Sequence, residues 1–287
     1  MTRASDSISP TAHYTGYTWF AHGLSHPALV TPQGKLMYTA LRPLYCLATL
    51  TGAPTLQAFL LARHRVMDLL LQKAIEEGRV GQVIEVAAGL SPRGWRFKKR
   101  FGQRLRYIEA DLPDMAERKL GLLKHAGLLT PGHEVVAMDA LADRGPLCLS
   151  TLTESLDHDK GTAIITEGLL NYFDTPSVLA MLARFGKVLA QFPHGLYLSD
   201  IHLADGGNQS AGVSAFKVVL SAFVKGRVYL HFDNEVVAAT ELRNAGFELA
   251  DLHQARHFAG ALDINLAPGA NAVRIIEARS STRDITG

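Results

Sequence analysis

An α/β fold on a mostly parallel sheet is what this sequence predicts, and three observations predict it. From residue 82 onward, short apolar strands alternate with amphipathic helices, the pattern of crossover units. VIEVAAGLSPRG (83–94) carries an apolar strand into a small, glycine-bearing turn and then a helix. RYIEADLP (106–113), about twenty residues beyond Gly89, ends a second strand in acidic residues. Small residues let a backbone approach a ligand, and an acid hydrogen-bonds ribose hydroxyls. The pair therefore suits the adenosine half of a nucleotide-like cofactor.

Residues 1–80 read as an N-terminal helical and aromatic lid segment. His13, Tyr14, Tyr17, Trp19, Phe20, His22 and His26 cluster there among proline and glycine punctuators. QAFLLARHRVMDLLLQKAIEEG (57–78) has apolar residues at helical spacing and stops at Gly78. Residues 81–287 read as the cofactor-binding domain. Its strands are predicted at 82–88, 105–110, 133–138, 161–166 and 194–200. Helices are predicted over 114–127 and 175–192, and an apolar helix over 213–225 follows the polar loop ADGGNQSAG (204–212). A variable, acceptor-side insertion is expected at about 201–235. ATELRNAGFELADLH (239–253) reads as a helix leading into a strand, and NAVRIIEAR (271–279) as the last strand.

The 287 residues suit one large domain or a domain with an elaboration, and 47% hydrophobic content supplies an ample core. A net charge of +2 without a dense basic stripe argues against nucleic acid as a partner. The strongest basic run, RFKKR (96–100), falls on the helix after the first turn and reads as a solvated face. Cys46 and Cys148 are the two cysteines and point to free thiols in a reducing compartment. No signal-peptide core and no membrane-length apolar run is read, so a cytoplasmic, membrane-free location is expected.

The turn also bears on which cofactor binds. A dinucleotide enzyme offers glycines in G-x-G-x-x-G so that a pyrophosphate can rest on the helix N-terminus. Here Ala87, Ala88 and Gly89 precede Leu90, Ser91, Pro92 and Arg93. One glycine followed by a proline is a poor pyrophosphate cradle. It suits a ligand without phosphate, such as S-adenosylmethionine.

Four strings, ARHRVMD (62–68), EVAAGLSPRGWR (85–96), IEADLPDMAERK (108–119) and TEGLLNYF (166–173), resemble the leucine carboxyl methyltransferase family. The closer likeness is to its bacterial tetracenomycin-type polyketide O-methyltransferases, in order from about 57 to 279. The resemblance implies a class I methyltransferase, Rossmann-like fold: a seven-stranded sheet whose last strand is antiparallel. It also implies S-adenosylmethionine as methyl donor and an oxygen, often a carboxylate, as acceptor. Carried onto this chain, Arg63 pairs with the methionine carboxylate of the cofactor, with Arg65 as the rival. Ala87 to Gly89 lie against the methionine portion, and Glu85 either holds the amino group through water or supports the turn. Asp111 is the ribose acid, Glu109 shares its facing, Asp139 and Ala140 lie beside the adenine, and Glu167 lines the pocket. Many relatives carry Asp-Thr-Arg after the glycine, where this chain has Ser91-Pro92-Arg93.

Methyl transfer from a sulfonium is an in-line displacement, so the enzyme supplies proximity, orientation and desolvation. A carboxylate acceptor needs no general base, whereas a hydroxyl benefits from one. His202, just beyond GLYLSDI (195–201), is the candidate base. Tyr14, Tyr17 and Trp19 are candidates to lie over a flat acceptor, with Arg227, Tyr229 and His231 a further acceptor patch. The expected function is O-methylation of a small, polyketide-like acid or hydroxyl compound, with no metal. Methylation of a protein C-terminal carboxylate, or a cofactor-binding scaffold without catalysis, are the alternatives.

Overall fold

The computed structural model describes residues 10–53, 55–204, 229–262, 270–271 and 273–280. The helix expected over 213–225, most of the expected insertion and Arg227 lie outside the described residues. Three helices precede the sheet: α1 (Pro10–Ala21), α2 (Pro32–Thr51) and α3 (Leu56–Glu76). Each of the last two starts on a threonine whose hydroxyl accepts a backbone N–H, Thr31 from Gly34 and Thr55 from Ala58. Proline at the first position of α2 suits a place where no N–H is required.

Seven strands follow: β1 (Gln82–Val86), β2 (Arg106–Asp111), β3 (His133–Ala137), β4 (Thr162–Thr166), β5 (Gly195–Ile201), β6 (Leu249–His253) and β7 (Arg274–Arg279). They lie in the order β3-β2-β1-β4-β5-β7-β6. The first five pair in parallel, and β7 runs antiparallel to both β5 and β6. This is the sheet that the resemblance implies, seven strands with the last antiparallel. Every expected strand lies within two residues of its expected start, except β7, where the expected range starts earlier.

The connecting helices are α4 (Arg93–Phe101), α5 (Pro113–His125), α6 (Leu149–Thr153), α7 (Thr175–Leu189) and α8 (Glu235–Asn244). Alternation along the strands splits the core in two. Val83, Tyr107, Ala163, Ile165 and Leu198 face α3 and α4, which add Phe59, Val66, Phe97 and Phe101. Ile84, Ile108, Ile164, Tyr197 and Ile276 face α7 and α8, which add Met181, Phe185 and Leu242. The basic run on α4 is not a solvated face. Lys99 and Arg100 point outward, but Lys98 is only 4% exposed and Arg96 is ion-paired with Asp68. A nine-residue helix lying on the sheet must turn part of any such run inward.

The strand order reverses between β1 and β4. At such a switch point the loops leave in opposite directions and open a crevice at the carboxyl ends of the strands.

Candidate active site

The turn after β1 is the floor of that crevice. Ala87 stands at φ +53°, the only non-glycine residue with positive φ among the described residues, and Gly89 at φ +48°. Asp111, at the end of β2, clamps this turn. Its Oδ2 accepts the Gly89 N–H at 2.6 Å and its Oδ1 the Leu112 N–H at 2.8 Å. Each oxygen keeps a lone pair. Burial raises the Asp111 carboxyl above its ordinary value, against the lowering effect of those two N–H donors.

Glu109 does not share that duty. It is 1% exposed, its Oε2 pairs with Lys119 Nζ at 2.8 Å, and His133 Nε2 stands 3.3 Å from its Oε1. The two acids share a strand face, but Glu109 is two residues deeper and lies beneath α4.

The other side of the crevice is a buried ion-pair network. Arg63 Nε donates to Glu167 Oε1 at 3.0 Å and its Nη1 to Asp200 Oδ2 at 2.9 Å. Glu167 Oε2 accepts from His64 Nδ1 at 2.8 Å and from Arg93 Nη2 at 2.5 Å. Arg93 is fully buried, donating also to Asp68 at 2.7 Å and to Glu85. Arg96 bridges Asp68 and His64 Nε2, and Arg93 Nη2 also stands 2.9 Å from His64 Nδ1. Glu85 accepts further from Ser91 Oγ and Tyr107 OH, both at 2.8 Å, so it supports the turn. Burial alone would raise the Glu167 carboxyl, but His64, Arg93 and Arg63 outweigh it and hold it well below the usual range. Burial likewise lowers His64, against the pull of Asp68 and Glu167.

Arg63 and Glu167 thus meet from 104 residues apart, and Arg63 keeps Nη2 uncommitted among the described residues. That guanidinium requires Gly168, at φ +68°, because a Cβ there would sit 2.9 Å from Nη2. His64, Asp68, Arg93, Arg96 and Asp200 were not read from the sequence. The i,i+4 spacing of His64 and Asp68 was a signal on one helix face, as was the acid closing GLYLSD.

Asp139 follows β3 at the same edge, half-buried, and its Oδ1 accepts the Leu141 N–H at 2.9 Å, the turn-closing role an aspartate takes before a new element. Ala140, beside it, offers its carbonyl to Arg184. His202 follows β5, 8% exposed, with its ring 5.1 Å from that of Phe59. Tyr229 and His231 are tied to the turn after Glu167. The Tyr229 N–H donates to Asn171 O, and the His231 ring bonds Thr175 Oγ1 and Leu170 O, lacing down the turn after Glu167.

Helix α1 lies across the glycine turn. A methyl built on Gly89 would meet Ala12 Cβ at 3.9 Å, and one on Gly16 would meet Leu90 at 3.3 Å. Trp19 stacks on His64 with centroids 4.6 Å apart, Tyr14 is buried, and Tyr17 packs on Tyr38 of α2 at 5.0 Å. The buried Trp19 Nε1 and Arg96 Nε have no hydrogen-bond partner among the described residues.

A model of the leucine carboxyl methyltransferase family matches residues 28–186. No curated protein matches in sequence. The fold is similar to a DUF574 family protein from Streptomyces avermitilis: TM-score 0.66 at 16% identity, over 94% of this chain and 97% of that one. It is also similar to a candidate methyltransferase from Thermobifida fusca, with TM-score 0.65 at 14% identity over 96% and 97% of the two chains. The S-adenosylmethionine-dependent methyltransferase SibL aligns at TM-score 0.53 and 16% identity, over 96% of this chain and 71% of its own.

Proposed function

We propose that this protein, which belongs to the leucine carboxyl methyltransferase family and uses S-adenosylmethionine, methylates an oxygen of a small organic acceptor. The observation carrying the small-molecule reading is the aromatic cover. Trp19 lies on His64, and α1 crosses the glycine turn, so the approach to the crevice is covered and apolar. An open charged groove would suit a protein C-terminus better.

The residues present fit the cofactor. The turn presents nothing larger than methyl groups at Ala87, Ala88 and Gly89, and Asp111 has lone pairs left for ribose hydroxyls. In this reading Asp139 and Ala140 border the adenine, and Arg63 Nη2, uncommitted among the described residues, takes the methionine carboxylate. Glu167 holds Arg63 and so acts as a positioning residue. Bound there, S-adenosylmethionine supplies an electrophilic methyl group on a sulfonium. The chain orients the acceptor oxygen in line and excludes water beneath α1. A carboxylate acceptor arrives deprotonated. For a hydroxyl, His202 Nε2 or Nδ1 takes the proton.

Incubation with methyl-labelled cofactor, separately with aromatic carboxylic acids, phenols and a peptide with a free C-terminus, tests this. Label on the small molecules is the expected result. Label confined to the peptide overturns the acceptor class, and cofactor binding without transfer to any of the three overturns catalysis.

A further inference from the structure

At the edge of the sheet opposite the crevice, where β1 to β4 begin, lies a cavity of about 530 Å³. Its walls carry four cations, Lys98, Arg104, Arg106 and Lys160, against two carboxylates, Glu134 and Asp157. The carboxylates are taken: Arg106 Nε donates to Glu134 at 2.7 Å, and Lys160 Nζ to Asp157 at 3.0 Å. Lys98 is the anomaly. It is 4% exposed, yet its ammonium meets only backbone carbonyls, Gly102 O at 2.7 Å and Leu105 O at 2.6 Å. One N–H remains, and no carboxylate pairs with it among the described residues. A buried ammonium with neutral partners alone is costly, and burial pulls its pKa down. Gly132, at φ +76°, keeps the entry to β3 bare against it, since a Cβ there would stand 3.2 Å from Nζ. Arg104, exposed over the Phe101 ring, likewise has no carboxylate among the described residues.

We propose that this cavity binds a small phosphorylated molecule, its phosphate held between Lys98 and Arg104. Two uncompensated cations at one wall match a dianion, and the guanidinium fork suits phosphate oxygens. The volume exceeds that of a bare phosphate and falls in the range of small-molecule sites. The Lys160–Asp157 pair is exposed and weak, so an arriving phosphate recruits Lys160 as a third cation, whereas Arg106 stays held by Glu134 and Ser155.

Calorimetry on the full chain saturated with S-adenosylhomocysteine tests the site, with inorganic phosphate, pyrophosphate and ribose 5-phosphate as probes at fixed ionic strength. One molecule of pyrophosphate or ribose 5-phosphate should bind per chain. Tighter binding of the sugar phosphate points to a phosphorylated organic ligand, and tighter binding of pyrophosphate to an inorganic one. Lys98→Met should weaken binding about tenfold or more, and the exposed Arg104→Gln several-fold. Cofactor affinity should stay unchanged in both. Absence of binding by all three probes overturns the proposal, as does equal binding by the wild type and Arg104→Gln. The second variant decides the matter even if Lys98→Met fails to fold.

Discussion

Asp111 and Glu109 stand two positions apart on β2 and point to one side, yet they serve different ends. Asp111→Ala should weaken S-adenosylmethionine binding by about 1–3 kcal/mol in calorimetry, through loss of a charged hydrogen-bond partner. Glu109→Ala should leave that affinity within a few-fold. It strands Lys119 and should cost about 3–5 kcal/mol of stability in denaturant titration. The reverse ranking would move the ribose contact to Glu109. His202→Gln separates the two acceptor chemistries. With a carboxylate acceptor kcat should hold, whereas with a phenol it should fall about a hundredfold and lose the acidic limb of its pH profile, the rise in rate as the base deprotonates. Arg63 and Glu167 were legible from the sequence because each sits in a string with a family likeness. Their partners were not, since Arg93 and Asp200 acquire meaning only when helix and strand ends converge. Tyr229 and His231 read as an acceptor patch because polar aromatics were grouped; nothing local shows that the Tyr229 N–H and the His231 ring bond the turn after Glu167.

Among the elements, the sheet was legible and the helix faces less so. Short apolar runs flanked by turns specify strands, and parallel register follows from burial on both faces. Which side of α4 meets the sheet depends on Glu109, Glu85 and Asp68, none of them on α4. Gly94 shows how tightly α4 is seated: a Cβ there would overlap Glu109 Oε1 and stand 2.8 Å from His133 Nε2. Gly94→Ala should therefore lower the melting temperature, although alanine is the better helix former. A neutral or raised value would mean that α4 sits further from β2. For α1, Trp19→Ala should depress methyl transfer while cofactor affinity stays within a few-fold. Early melting with normal turnover in the folded fraction would reduce α1 to packing.

At the scale of the molecule, the buried network makes stability depend on pH in two windows. His64 has a folded pKa below 6.5, so the unfolded chain binds more protons beneath that pH and stability falls as pH drops through it. Glu167 has a folded value well below 4.5, so its contribution is complete above 4.5 and is lost as pH falls further. Thermal scans from pH 8 to pH 3 should show both declines. His64→Gln should flatten the upper one and Glu167→Gln the lower; unchanged slopes would mean these groups do not set the acid response. No single helix among the described residues is long and apolar enough to cross a membrane.

The antiparallel strand carries a consequence for how the chain is made. β7 is the last of the described strands to leave the ribosome, yet among the described residues it alone joins β6 to the sheet and covers the flank of β5. Until it arrives, β5, buried along its whole length in the finished fold, presents a bare row of amides and carbonyls, and β6 has no strand to pair with. A nascent chain therefore carries an adhesive border until β7 has emerged. A stop codon ahead of Arg274 should yield insoluble product rather than a weakened enzyme, and supplying residues 270–287 as a separate peptide during refolding should recover soluble protein. Soluble, monomeric material from the truncated gene would show that something else shields that border.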